Sequence, residues 1–294
     1  MIPFLRLLRP RQWIKNIVVL AGLVFAERLA QARFTSAAFA AFGVFCALSS
    51  SIYVLNDLID APKDRLHPEK KKRPIAAGEI SPAVAGFLGI LLMVLSLVAA
   101  FSLGPRFGTT AAAYCAINLL YTLRLKQEVI IDVMMIATGF VLRAIAGVQV
   151  LADLDPSVEL SPWLLVCTFF LALFMALGKR RQELVLLDRD ASSHRASLSE
   201  YSVGLVDTML PMVTTSAILA YSIYTIWPNT IQKLGTDKLV YTIPLVVYGF
   251  FRYLYLIREK GLGGNPSEIL FRDPSLMASV LAWMAAVVGI LYVR

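Results

Sequence analysis

The sequence predicts an all-α, polytopic membrane protein of about nine transmembrane helices, and three observations support this fold class. Hydrophobic residues make up 58% of the 294 residues and charged residues only 16%, against roughly 25% in an average soluble domain. Apolar stretches of about 20 residues, the length that crosses a bilayer, recur along the chain. Lys and Arg concentrate in alternate connections between these stretches, as the positive-inside rule expects.

Nine stretches are candidate spans, and the first is the weakest because its purely apolar part is short. Small residues in the fourth and fifth stretches favour close helix packing, so we expect residues 1–294 to form a single transmembrane domain. The predicted spans are 14–32, 36–55, 83–103, 107–123, 129–151, 161–178, 205–227, 239–257 and 275–293.

The distribution of positive charge predicts the orientation of the chain. The N-terminus and the connections after spans two, four, six and eight hold about 20 Lys and Arg residues, and the other side holds about six. The first set is therefore expected in the cytoplasm, in a multi-pass protein of the cell (inner or plasma) membrane. This topology accounts for the formal net charge of +8 without nucleic acid as a partner. The two longest polar loops, 56–82 and 179–204, share this side and can face one cavity.

The most conspicuous polar run ends the second apolar stretch. It contains Asn56, Asp57, Asp60 and Asp64. On a helix, Asn56, Asp60 and Asp64 are spaced by four residues and are expected along one line, although Pro62 should kink or end the helix near Asp60. Oxygen ligands of this kind suit Mg²⁺, which takes one or two carboxylates together with substrate phosphates and water. The competing interpretation is a polar helix end with capping carboxylates; the position at the end of a membrane span favours function.

Cations follow these carboxylates and predict binding of phosphate groups. Lys and Arg bind the oxygens that a metal leaves free on a diphosphate, whereas Lys71 and Lys72 fit topology charge equally well. The second loop is also basic, and it lacks a second Asp-x-x-x-Asp at the end of its span. We therefore interpret it as a binding surface for anionic groups. The cations of the first loop are Lys63, Arg65, Lys70, Lys71, Lys72 and Arg73, and the polar residues of the second include Lys179, Arg180, Arg181, Glu183, Asp188, Asp190 and Tyr201.

Arg143 lies inside the fifth apolar stretch, where an ionisable side chain indicates a functional site. Asp132, about three helical turns away, is a candidate partner, so a structural pair is the competing interpretation. A transporter or lipid-binding scaffold with both residues in its pathway remains an alternative to an enzyme.

The pattern Asn56-Asp-x-x-Asp60-x-x-x-Asp64-Arg, followed by Lys70 and Arg73-Pro-Ile-Ala-Ala-Gly78, resembles the first signature of the UbiA-type intramembrane prenyltransferase superfamily. Further stretches resemble its decaprenyl-phosphate 5-phosphoribosyltransferase branch, and the resemblance runs from the N-terminus to the last span. It implies one UbiA-like domain with nine helices around a central cavity. These further stretches are Arg9–Asn16, Arg143–Gly147, Gly178–Leu184, Ser197–Tyr201 and Gly261–Asp273.

The resemblance also implies a reaction: Mg²⁺-dependent transfer of 5-phosphoribosyl from phosphoribosyl pyrophosphate to a polyprenyl (decaprenyl) phosphate, with release of pyrophosphate. Arg181 departs from relatives, which often carry an aromatic residue there. A homo-oligomer is compatible with this function. By the resemblance, the metal ligands are Asn56 and Asp60, the catalytic carboxylates are Asp57, Asp60 and Asp64, and the substrate-binding residues are Lys15, Tyr53, Lys70, Arg73, Arg143, Lys179, Arg180, Glu183 and Tyr201.

The alternative within the superfamily is transfer of a prenyl group from a prenyl diphosphate to an aromatic acceptor. In that enzyme the carboxylates would bind the prenyl diphosphate. A second Asp-rich cluster near 179–190 would support it, and the sequence has none.

Overall fold

The computed structural model describes residues 2–66, 70–187, 198, 200–262 and 266–293, and the secondary structure of this part is helical throughout. Short 3₁₀ helices cover Lys70–Lys72, Leu125–Gln127 and Lys238–Thr242, and a longer one covers Pro10–Leu20. The α-helices are α1 (Ile2–Leu8), α2 (Ala21–Phe25), α3 (Ala32–Asp64), α4 (Pro82–Leu103), α5 (Pro105–Leu123), α6 (Ile131–Ala152), α7 (Pro162–Leu187), α8 (Val203–Ile226), α9 (Pro228–Leu234), α10 (Ile243–Arg258), α11 (Pro266–Arg272) and α12 (Pro274–Tyr292).

Within the described ranges, seven helices are long and apolar enough to cross a membrane: α3, α4, α6, α7, α8, α10 with the 3₁₀ turn before it, and α12. The chain is therefore a multi-pass membrane protein, as predicted, but the count of nine is not confirmed. The predicted span 14–32 is divided between the long 3₁₀ segment and the five-residue α2. The predicted span 107–123 forms α5, which carries Thr109, Thr110 and Asn118 and is not among these seven helices.

The chain forms two compact units, of which unit one comprises Met1–Lys126 and Leu142–Leu160. In unit one α3 packs against α4 and against the 3₁₀ segment Pro10–Leu20. The 3₁₀ segment runs antiparallel to α3: Trp13 Nε1 donates a hydrogen bond to Ser50 Oγ (2.9 Å), and Asn16 Nδ2 donates one to Ser49 Oγ (3.1 Å). These polar contacts fix the N-terminal segment along the helix that carries the acidic run.

A glycine lets the same segment approach α6 closely. A Cβ atom at Gly147 would lie only 1.9 Å from the carbonyl oxygen of Val19, and one at Gly22 would lie 2.8 Å from the backbone of Gly147. Only a residue without a side chain allows this approach. Gly147 therefore determines how near the N-terminal segment lies to the second half of α6.

Pro62 does not end α3, which continues to Asp64, so the expectation of a break near Asp60 is wrong. A proline in the last turn removes a single backbone hydrogen bond, and the turn is closed by the Arg65 N–H, which donates to the Ala61 carbonyl at 3.2 Å. The acidic run is therefore helical along its whole length.

Unit two comprises Gln127–Val141 and Ser161–Arg294. Here α7 packs against α8, and α10 packs against α12. The ring of Phe174 lies at the centre of an aromatic cluster, 4.9 Å from the Phe250 ring and 5.2 Å from the Tyr253 ring. Leu177 and Ile257 complete this buried core. That residues 1–294 act as a single domain remains a prediction.

We predict that Gly147→Ala lowers the stability of the protein by about 1–3 kcal/mol, because the added methyl group collides with a backbone carbonyl that has little freedom to move. Gly43→Ala in α3 is the matched control, since a Cβ atom there meets nothing within 4 Å. Thermal unfolding in detergent measures both variants. Equal unfolding temperatures for the two variants would contradict the close approach at Gly147.

Candidate active site

The C-terminal end of α3 presents two polar faces. Asn56 and Asp60 are four residues apart and lie on one of them. Their oxygens converge on one cation, the ammonium group of Lys126, which donates hydrogen bonds to Asp60 Oδ1 (2.6 Å) and Asn56 Oδ1 (3.4 Å). A carboxylate and an amide oxygen thus already hold a positive charge between them.

The second face carries Asp57 and Asp64. Arg73 Nη1 donates to Asp57 Oδ1 (2.9 Å) and to Asp64 Oδ2 (2.6 Å), and Arg9 also binds Asp57. Both carboxylates are almost completely buried, at 2% and 3% exposure. They stabilise the ends of two other segments, the N-terminus and the loop after residue 70, by binding one arginine from each.

Asp64 therefore does not continue the line of Asn56 and Asp60, and that prediction is wrong. Eight residues make a little over two turns, so Asp64 is rotated by about 80° from Asn56 and lies within about 20° of Asp57. The helix, uninterrupted at Pro62, brings Asp64 to the face of Asp57 and to the shared Arg73.

The donor set at Asn56 and Asp60 fits a hard divalent cation. Both ligand atoms are oxygens, and they already converge on the Lys126 ammonium as a stand-in cation. No group of three His, Cys, Asp or Glu side chains in the described ranges forms a metal site. A metal bound here would thus take two protein ligands and complete its shell with substrate oxygens and water, which is the usual arrangement for Mg²⁺.

Lys15 lies on the 3₁₀ segment, outside the seven candidate spans. Its side chain is half-buried, and among the residues that the structure describes its ammonium makes no hydrogen bond or ion pair. Burial, together with the nearby guanidinium groups of Arg143 and Arg9, lowers the pKa of Lys15 to about 8. Arg9 also lies over the ring of Tyr53, 5.2 Å from its centroid. Tyr53 thus lines the same basic region, one turn before Asn56.

Arg143 is buried in unit one, where two of its hydrogen bonds go to neutral groups. Its Nε donates to Asn16 Oδ1 (2.8 Å), and its Nη2 donates to the Tyr114 hydroxyl (2.6 Å). The carboxylate of Asp132, proposed from the sequence as its partner, instead accepts hydrogen bonds from Arg180.

In unit two a buried ionic network surrounds Asp132. Arg180 binds its carboxylate through Nε (2.8 Å) and Nη2 (2.6 Å), and Arg180 also binds Glu183. The Tyr201 hydroxyl donates to Asp132 Oδ1 (2.8 Å) and accepts from the backbone N–H of Ile130 (2.8 Å). Burial and the adjacent Asp132 raise the pKa of Tyr201, so it remains a donor. This network ties the end of α7 and residue 201 to the start of α6.

Arg181, which departs from the pattern of relatives, has a structural partner. Its Nε lies 2.7 Å from Asp207 Oδ1, and Arg258 also reaches Asp207. The pair links α7 to α8 in unit two. An arginine at this position is therefore explained by Asp207.

Residues 16–271 match the UbiA prenyltransferase family. The chain belongs to this family. It is 35% identical to the decaprenyl-phosphate phosphoribosyltransferase of Mycolicibacterium smegmatis, over 98% of this chain and 92% of that protein. It is 33% identical to the Corynebacterium glutamicum protein of the same name, over 98% of this chain and 86% of that one.

The fold is that of solved UbiA proteins. A UbiA homologue from Archaeoglobus fulgidus bound to GPP and Mg²⁺ superposes with a TM-score of 0.73 at 20% identity, covering 98% of this chain and 99% of the other. The predicted resemblance to UbiA enzymes of the decaprenyl-phosphate phosphoribosyltransferase kind is confirmed, and this UbiA chain is an enzyme.

The predicted site residues of this UbiA protein fall into separate groups. Asn56, Asp60, Asp57, Asp64 and Arg73 come together in unit one. In the same unit Tyr53 lies on α3, Lys15 lies on the 3₁₀ segment that packs against α3, and Arg143 binds Asn16 of that segment. Lys70 starts the 3₁₀ turn Lys70–Lys72. Arg180, Glu183 and Tyr201 form the network of unit two, and Lys179, whose side chain is 47% exposed, lies beside Glu183 at 3.7 Å. Asp188 and Asp190 lie outside the described residues.

Sequence reasoning missed Lys126, which lies in the connection after the fourth predicted span and counts there only towards the positive charge of that side. It is 66 residues from Asp60 along the chain, and its position directly after α5 does not reveal that its ammonium reaches that carboxylate. The one available signal was its predicted location on the same side of the membrane as the acidic run.

We predict that Asp132→Asn lowers the stability of the protein by about 3–5 kcal/mol, because removing one partner of a buried ion pair leaves the other charge desolvated. Lys179→Gln is the control, since its exposed i,i+4 pair with Glu183 contributes at most about 1 kcal/mol. The measurement is thermal unfolding in detergent. If both variants unfold at the wild-type temperature, the network is not structural.

Proposed function

We propose that this chain transfers the 5-phosphoribosyl group of phosphoribosyl pyrophosphate to a polyprenyl (decaprenyl) phosphate and releases pyrophosphate. The observation that carries the proposal is the convergence of Asn56 and Asp60 on a single cation, the ammonium group of Lys126, with Arg73 bound to the neighbouring carboxylates Asp57 and Asp64. Support also comes from relatives of nearly full length that bear the name decaprenyl-phosphate phosphoribosyltransferase.

Asn56 and Asp60 would hold Mg²⁺ at the diphosphate. When bound, the metal neutralises charge on the diphosphate and so stabilises the pyrophosphate leaving group. The chain's own cations, Lys15, Lys70 and Arg73, bind further phosphate oxygens, and Lys126 adds a charge beside Asp60.

Asp57 and Asp64 act through Arg73. Their buried carboxylates hold its guanidinium from two directions, so the cation is oriented before substrate binds. Preorganised charges of this kind cost little reorganisation when the leaving group develops its negative charge. Asp57 and Asp64 are thus positioning residues in this mechanism, and Arg73 is the residue that contacts phosphate.

The reaction needs no general base. An oxygen of the lipid phosphate forms a bond to ribose C1, and the bond from C1 to the pyrophosphate oxygen breaks with its electron pair leaving on pyrophosphate. The lipid phosphate is already anionic near neutral pH, so no proton has to be removed from it. Catalysis then rests on positioning the two substrates and stabilising the leaving group.

In this proposal the protein resides in the cell (inner or plasma) membrane, and its active site faces the cytoplasm. The excess of Lys and Arg in the loops on the side of residues 56–82 supports this orientation. A water-soluble, highly charged sugar donor would then reach the site from the cytoplasm, and the lipid would reach it from the bilayer.

The reaction is tested by supplying labelled phosphoribosyl pyrophosphate, polyprenyl phosphates of several chain lengths and Mg²⁺ to the purified protein. We expect a labelled lipid, and we expect Asp60→Ala to abolish its formation by removing the carboxylate ligand. Asp155→Asn is the control, because Asp155 is paired with Arg28 in a connecting segment of the same unit. Absence of labelled lipid at every chain length would overturn the proposal, and consumption of prenyl diphosphates instead would establish prenyl transfer.

The pH dependence of the donor reaction provides a second test. Only the protonated ammonium of Lys15 attracts phosphate, and its pKa in the free protein is about 8. The kcat/KM for phosphoribosyl pyrophosphate should therefore be constant below pH 8 and fall above it, since this parameter reports ionisations of the free enzyme. Lys15→Arg should shift this fall to higher pH, because the guanidinium stays charged. The same fall in the variant would show that Lys15 is not responsible.

A further inference from the structure

Unit one contains a cavity of about 460 Å³, within the roughly 300–1,000 Å³ range of small-molecule sites. Its walls come from the first two turns of α5, the last turn of α6 and the connection 153–160. Arg106, which lines it, lies about 25 Å along α5 from Leu123, at about 1.5 Å per residue. Lys126, the residue that contacts Asp60, follows that far end of the helix. The cavity is therefore at the opposite membrane interface from the candidate active site, and the proposed reaction does not use it.

The backbone beside the cavity is fixed by Asp153, which joins the end of α6 to the start of α5. Its carboxylate accepts hydrogen bonds from the backbone N–H groups of Arg106 (3.3 Å) and Phe107 (3.0 Å), which have no partner within their own helix. A Cβ atom at Gly104 would lie 2.1 Å from Asp153 Oδ2, so only glycine allows this contact. These N–H groups are therefore bound by the chain itself, which leaves ligand recognition to the side chains of the cavity.

Arg106 brings a positive charge into the cavity. Its Nη1 donates to the carbonyl oxygen of Ala152 at 3.2 Å, which accounts for one of the five N–H donors of a guanidinium group. Within the described part of the chain, this guanidinium forms no ion pair with a carboxylate. Gln149 lines the same cavity, and its side-chain amide makes no hydrogen bond to the described residues. The two side chains can therefore donate hydrogen bonds to a phosphate group.

The charged groups that line the cavity have both signs. Glu159 carries the negative charge. A carboxylate has about four acceptor positions, so it can bind a ligand ammonium group in addition to its contacts within the chain. One guanidinium and one carboxylate favour a zwitterionic ligand over a ligand that is only negative. The described residues that line the cavity include no aromatic ring, and recognition of a quaternary ammonium relies on such rings. A primary ammonium group, which donates hydrogen bonds, therefore fits better than choline.

The rim of the cavity continues into an exposed stripe of α5. The members of this stripe recur at helical spacing on one face. In a membrane protein such a face contacts acyl chains, and small side chains below the rim let a chain approach the helix closely. A ligand with its phosphate in the cavity and its apolar part along this stripe is a membrane lipid. The exposed residues of the stripe are Arg106, Thr109, Ala113, Ala116 and Leu120.

We propose that this cavity binds phosphatidylethanolamine, with the lipid phosphate at Arg106 and Gln149 and the ammonium group at Glu159. The headgroup of this lipid has one negative and one positive charge, which matches the lining. The bound lipid joins the start of α5 to the end of α6 at the membrane face opposite the active site. On the orientation proposed above, this face is the outer leaflet. The site does not depend on which reaction the chain catalyses.

The site is tested by native mass spectrometry of the full-length protein in detergent, with phosphatidylethanolamine, phosphatidylglycerol and phosphatidylcholine of identical acyl chains. We expect wild type to retain phosphatidylethanolamine in preference to the other two lipids. Arg106→Gln should weaken its binding by about tenfold or more, as for loss of a charge-assisted hydrogen bond. Glu159→Gln should remove the preference over phosphatidylcholine, because the primary ammonium loses its carboxylate.

Lys238→Gln is the control variant. It removes an exposed cation on the same predicted side of the membrane, but in unit two and away from the cavity. We expect it to bind all three lipids as wild type does. If Arg106→Gln does not fold, because its bond to Ala152 is lost, Glu159→Gln gives the same test, since the Glu159 side chain is exposed.

Equal retention of the three lipids by wild type would overturn the proposal, as would an unchanged preference in both cavity variants at the wild-type unfolding temperature. Glycerophosphoethanolamine, the same headgroup without acyl chains, distinguishes a lipid from a soluble ligand. We expect it to compete with the lipid only weakly. Competition at the same concentration as the lipid would show that the cavity recognises a soluble phosphodiester, and the lipid assignment would then be wrong.

Discussion

The bridge that Arg73 makes between Asp57 and Asp64 is the interaction on which the candidate site depends. Buried carboxylates in a membrane protein need cationic partners, because desolvation of an unpaired charge costs several kcal/mol. Satisfying this need draws the loop after residue 70 and the N-terminal Arg9 onto the end of α3. One face of the helix therefore binds two arginines of the chain, while on the neighbouring face Asn56 and Asp60 converge on the single ammonium group of Lys126.

Unit two meets the same constraint with Asp132, Arg180 and Tyr201. The residues of the functional motifs therefore differ in their burial and in their bonds to the rest of the chain. Arg180 and Asp57 are buried and bound to other residues of the chain, so they act by holding neighbours in place. Lys179 and Lys15 are more exposed. Loss of activity on substitution of Arg180 would therefore not show that it touches substrate.

Properties that depend on a short stretch of sequence were predictable, and those that depend on distant residues were not. The apolar stretches that became α3, α4 and α12 are local, and their length alone identifies them. The close approach of residues 10–20 to α6 depends on Gly147 far along the chain, which no periodicity reveals. Similarly, the motif identified Asn56 and Asp60. The face of α3 on which Asp64 lies depends on the helix continuing past Pro62. Lys126 comes close to Asp60 only when the chain folds, because the two residues are far apart in sequence.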